Sequence, residues 1–73
     1  MNYDYTPNRI YKSRQFKGRA VIISSNQFYV SARYFKRVRD ANDFANGRTP
    51  EIAGMPLEVD KNRFMEMFSP PEF

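Results

Sequence analysis

From Ile10 to Ser24 the pattern of apolar and polar positions favours β structure. Ile10-Tyr11-Lys12-Ser13-Arg14-Gln15-Phe16 runs up to Lys17-Gly18, and Arg19-Ala20-Val21-Ile22-Ile23-Ser24 runs away from it. Val21-Ile22-Ile23 is the strongest β-branched run in the chain, and such side chains suit a pleated surface. The pattern predicts a β-hairpin turning at Lys17-Gly18. It places Lys12, Arg14 and Phe16 on one face and Tyr11, Ser13 and Gln15 on the other. Before it, residues 1–9 read as an extended arm, because Thr6-Pro7-Asn8 is a turn signal and proline disfavours helix at its predecessor.

Between Ser25 and Gly47 two periods coexist. Phe28, Ala32, Phe35 and Val38, with a parallel row of Val30, Tyr34, Ala41 and Ala45, give one broad apolar helical face. Ser25 is placed to cap that helix and Gly47 to stop it, so one main helix is the leading reading. The rival is a strand, because Phe28, Val30, Ala32 and Tyr34 also alternate; Asp40 would then cap a separate short helix ending at Gly47. Arg48-Thr49-Pro50 breaks the chain. Residues 51–59 read as a kinked edge strand, since Gly54 and Pro56 both disfavour a central one. Asp60 is placed to cap a short helix from Lys61 to Phe68, and residues 69–73, with Pro70 and Pro71, form an extended tail. The expected architecture is a single α+β domain over residues 10–68, a hairpin and an edge strand packed on one main helix, with a short C-terminal helix.

Composition changes the picture of the core. Leu57 is the only leucine, whereas seven Phe, five Tyr and four Met supply most of the apolar bulk in 73 residues. A few rings can bury as much area as many aliphatics. Cysteine and histidine are both absent, which excludes disulfides, thiolate chemistry and the commonest metal ligand. Small domains without such staples often self-associate, so a homo-oligomer is one expected state, with head-to-tail pairing of oppositely charged halves. No window approaches the roughly 18–20 apolar residues of a membrane span, and the first residues lack the apolar stretch of a secretory signal. The expectation is a cytoplasmic protein that does not enter a membrane.

Charge divides the chain. Residues 1–39 hold nine Lys/Arg against Asp4 alone, a net +8, whereas residues 40–73 hold three against seven acids, a net −4. Such a split biases the first half toward polyanions.

Catalytic signals are weak. No carboxylate pair has a glycosidase or metal-site spacing, Ser24 and Ser25 have no histidine to activate them, and Gly18, Gly47 and Gly54 are too isolated for a phosphate-binding loop. The expectation is a protein that is not an enzyme and holds neither metal nor cofactor. A nucleic-acid surface is better supported, because phosphates need spaced cations and exposed bases stack on rings. The candidate contacts are Arg14, Lys17, Arg19, Arg33, Lys36 and Arg37, with Tyr11 and Phe16 as interleaved rings. The alternative is a regulatory or inhibitory module that meets an acidic protein and anchors it through Phe64, Met67, Phe68 and Phe73, since Met/Phe surfaces are adaptable and adhesive. The stretch Ala53-Gly54-Met55-Pro56-Leu57-Glu58-Val59, a Gly-x-Pro entering a strand, resembles stretches common in short phage-encoded proteins, and the alternative includes a phage-encoded module whose target is a host protein.

Overall fold

The structure, a computed structural model, describes residues 3–69. Five strands, β1 (Ile10–Ser13), β2 (Arg19–Ser25), β3 (Tyr29–Phe35), β4 (Met55–Asp60) and β5 (Phe68–Ser69), form one antiparallel sheet in the order β4-β3-β2-β1-β5. Two helices complete the α+β domain, α1 (Val38–Ala45) after β3 and α2 (Lys61–Met67) between β4 and β5. The chain passes from β4 into α2 and from α2 into β5 with no linker. Four strand spacings amount to about 19 Å in a flat sheet, whereas seven helical residues span only about 10 Å. Joining the two edges this way therefore requires the sheet to curl around α2.

Alternation assigns the faces. Tyr11, Ala20, Ile22, Val30 and Ala32 are buried on the inner face against Phe64 and Phe68, with Tyr3, Tyr5, Tyr34, Leu57, Val59 and Met67 at the margin. The rings interlock: Tyr3 and Tyr11 stack at 5.5 Å, and Tyr11 and Phe64 meet edge to face at 5.1 Å. Such pairs contribute about 0.5–1.5 kcal/mol each beyond their burial. Arm residues Tyr3 and Tyr5 thus lie on the core. The Tyr11 hydroxyl donates to the Asp4 carbonyl and accepts from the Asp4 N–H, and burial raises its pKa. On the outer face, α1 covers a smaller cluster of Val21, Phe35 and Ala41 with Ile10, Phe44 and Ala45.

The leading expectation for residues 25–47 is corrected. Residues 29–35 are a strand and only Val38–Ala45 is helical. Ser25 does not cap a helix; it pairs with Val30 in the β2–β3 ladder. The turn is made by Asn26, whose Oδ1 accepts from the Phe28 and Tyr29 N–H groups at 2.8 and 2.7 Å. Asp40 is not a cap either, for Arg37 holds the N-cap position of α1 and Asp40 is buried in the first turn.

Other local signals hold. Gly47, at φ +78, ends α1, with its N–H bonded to the Phe44 carbonyl and that of Arg48 to Asp43, the double closure of a Schellman motif. Asp60 caps α2 by accepting from the Arg63 N–H at 2.8 Å. Pro7-Asn8 forms a turn closed by Arg9 N–H to the Thr6 carbonyl, and Asn8, at φ +74, takes the position that needs a positive φ. β4 is an edge strand containing Pro56.

The hairpin between β1 and β2 exists, but its register differs from a tight turn at Lys17-Gly18. That turn would set Arg14 opposite Val21, and Ile10 occupies this place. β1 ends at Ser13, leaving residues 14–18 as a loop. Because the slip of four residues is even, the faces of Tyr11 and Lys12 are unchanged.

Candidate functional site

The loop 14–18 projects from the end of the sheet where β1 stops and β2 begins, and antiparallel pairing brings the end of β3 beside it. The loop is fixed from below. Ser13 Oγ accepts from the Phe16 and Gln15 N–H groups at 3.1 and 3.4 Å, and the Ser13 N–H donates to the Gly18 carbonyl. Arg14 reaches across to the arm and α2, its Nε donating to the Met65 carbonyl and its Nη2 to the Tyr3 hydroxyl. Phe16 is left 70% exposed.

Phe16, Lys17, Gly18, Tyr34 and Lys36 line one groove of about 490 Å³. Gly18 is buried there beneath the Tyr34 ring. A Cβ at Gly18 would stand 2.0 Å from the Tyr34 hydroxyl, so only glycine lets the ring lie in this position. A second hollow, lined by Ile52, Ala53 and Met55 among others, shares Tyr34 and Lys36 with the first.

Further cations lie at the same end of the sheet. Arg19 Nη1 donates to the Lys17 and Gly18 carbonyls at 3.0 and 3.1 Å. Lys12 lies directly opposite Arg19 in the β1–β2 ladder, an arrangement of like charges that works against the sheet. Among the described residues, the ion pairs within 4 Å are Arg9–Asp4, Arg37–Asp40, Arg37–Glu51 and Arg48–Asp43. Lys12, Arg14, Lys17, Arg19 and Lys36 stand outside them.

The predicted nucleic-acid residues therefore separate into groups. Arg14, Lys17, Arg19 and Lys36 come together at this end of the sheet. Arg37 is neutralised by Asp40 at 2.9 Å and Glu51 at 3.2 Å. Arg33 projects from the outer face, where its Nη1 donates to the Gly54 carbonyl at 2.9 Å, and lines a different groove with Ile23 and Phe44. Tyr11 is fully buried and presents no ring face for stacking. Of the residues assigned to protein binding, Phe64 and Phe68 are buried in the core and Met67 is packed at its margin. Phe73 lies outside the described residues.

The sequence places Lys12 on the basic hairpin and Phe16 beside Tyr11 as an interleaved ring, but it gives no sign that Tyr34 belongs to this end. The spacing of Lys12 and Arg19 about the turn was an available signal, but it required the correct register.

The Asp40 carboxylate holds the flank of the site. Burial acts to raise its pKa, but the hydrogen bonds and charge of Arg37, with the N–H groups of Glu51 and Ile52, outweigh burial and hold it below the usual aspartate value. Arg37 is correspondingly raised by its bonds to Asp40 and Glu51. This clamp ties the segment after α1 to the helix's first turn.

No protein-family model matches the chain, and no curated protein or solved structure matches it. Among the described residues there is no cluster of acidic side chains suited to a metal ion, and no helix is long and apolar enough to cross a membrane.

Proposed function

We propose that this protein is a non-catalytic nucleic-acid-binding protein whose phosphate contacts are Lys12, Arg14, Lys17, Arg19 and Lys36. The observation that carries this reading is the convergence of Lys17 and Lys36 on one groove, with Arg14, Arg19 and Lys12 at the same end of the sheet, all five outside the ion pairs. Arg37, by contrast, is paired with Asp40 and Glu51. A cationic end left uncompensated holds a positive potential that attracts phosphates and releases their counterions on contact.

The test is the salt dependence of affinity for a labelled oligonucleotide, read by fluorescence anisotropy. With five phosphate contacts, affinity falls about 130- to 500-fold between ~50 and ~200 mM salt. Replacing Lys17 and Lys36 together by alanine weakens binding about 60-fold or more at ~50 mM salt and flattens the log–log slope by about 1.4–1.8. Absence of binding at ~50 mM salt, or a slope untouched by the double substitution, overturns the reading.

One feature favours the regulatory alternative with a protein as target. Exposed Ile52 and Met55 continue the groove in apolar form past Lys36. Apolar contacts respond little to salt in this range, so a partner bound through them would show a nearly flat slope.

A further inference from the structure

We propose that the nucleic acid is single-stranded, and that one unstacked base lies on the Phe16 ring in the groove shared with Tyr34; this rests on the reading of the basic end given above. A phenylalanine buried in a core stabilises it, and this chain is short of aliphatic residues to fill one. Phe16 nevertheless stands 70% exposed. The loop beneath it is not slack, because Ser13 Oγ, the Gly18 carbonyl and the two Arg14 hydrogen bonds fix the backbone in a shape that presents the ring. The ring shares its groove with Lys17 and Lys36, and Tyr34 lines the same groove, seated over Gly18.

An aromatic face flanked by cations matches a base with its neighbouring phosphates. Base faces are free in a single strand and hidden in a duplex, and stacking on a protein ring tolerates any sequence. Lys17 and Lys36 would contact the phosphates on either side, with Arg19 and Lys12 extending the track along the outer edge.

The experiment compares a fluorescein-labelled oligo(dT) of about 15 nucleotides with a labelled duplex of the same length, both at ~50 mM salt. Phe16→Ala is expected to weaken single-strand binding by about 5- to 150-fold. It should leave the salt slope unchanged and duplex affinity within about two-fold. Phe16→Trp should retain single-strand affinity. Circular dichroism of each variant confirms folding, which an exposed loop substitution should preserve. Single-strand binding that is indifferent to Phe16→Ala, or a duplex bound as tightly as the single strand, overturns the inference. In either case a salt-dependent interaction that Lys17 and Lys36 control leaves the phosphate reading standing, whereas failure of both probes to bind removes both proposals.

Discussion

Two hairpin tips, at opposite ends of the sheet, use the same local device in different electrical surroundings. At one, Ser13 Oγ accepts from backbone N–H groups and holds out Phe16; at the other, Asn26 Oδ1 does so and holds out Phe28, which is 65% exposed. Around Phe16 stand Lys17, Lys36 and Arg19. Beyond Phe28 the sheet end carries Asp60, paired across from Tyr29, and Glu58 on a groove lined mainly by serines, Asn26 and Tyr29. The nearest lysine at that end, Lys61, lies over the Tyr5 ring at 5.1 Å. What distinguishes Phe16 is the field around it, and Phe28 serves as an internal control.

The largest effect should be common to both tips. Phe64 underlies the inner face, and Phe64→Ala is expected to cost about 3–5 kcal/mol, comparable with the whole stability of a domain this small. Denaturant unfolding should show its midpoint collapsing, and a shift below about 1 kcal/mol would mean that the two ends do not share this core. By contrast, Phe16→Ala and Phe28→Ala should each change stability by no more than about 0.5 kcal/mol, and Phe28→Ala should leave oligonucleotide affinity within about two-fold. Equal losses of binding at the two tips would erase the distinction between them.

Next in size are the turn-making side chains. Ser13→Ala and Asn26→Ala each strip acceptors from backbone N–H groups, at about 0.5–1.5 kcal/mol apiece in thermal or chemical unfolding. Only Ser13→Ala should also weaken nucleic-acid binding, because it loosens the presentation of Phe16. Binding that tolerates Ser13→Ala would show that a fixed ring is not required.

The smallest expected effect concerns acid. Asp40 has a folded-state pKa below its ordinary value of 3.8. The folded state thus binds its proton less tightly than the unfolded chain, and stability falls as the medium is acidified. Its contribution is present in full above the ordinary value and is lost as pH falls through the lowered one. Asp40→Asn should reduce stability at neutral pH and remove part of the acid dependence, measured by thermal melts across pH 2–6, a range chosen to span roughly both values. A variant with an unaltered acid profile would show that the Arg37–Asp40–Glu51 clamp is not responsible.

Much of the chain is legible because its signals act over a few residues. Asp60 caps the helix it precedes, Gly47 takes the positive φ that ends α1, Pro7-Asn8 turns the arm, and Pro56 marks an edge strand. Strand parity in β1 likewise assigned Tyr11 and Lys12 to opposite faces, and this survived a four-residue error in register because the error was even. Residues 29–35 were not legible in this way. Their apolar positions satisfy helical and strand periods alike, and what decides between them is a ladder with β2 on one side and β4 on the other.

The candidate site divides on the same line. That the first half is cationic follows from composition alone. Which cations remain uncompensated depends on where Asp40 and Glu51 come to rest, and they take Arg37 out of the set. Tyr11 becomes core because Phe64 returns against it from α2, whereas Phe16, five residues on, is left outside by a loop whose length depends on β1–β2 pairing. Charge, the Pro7-Asn8 turn, the Asp60 cap, the Gly47 stop and the parity of β1 are properties of residues and near neighbours, so the amino-acid order determined them. Burial, neutralisation and register depend on partners distant in the chain, and only their meeting in three dimensions decided them.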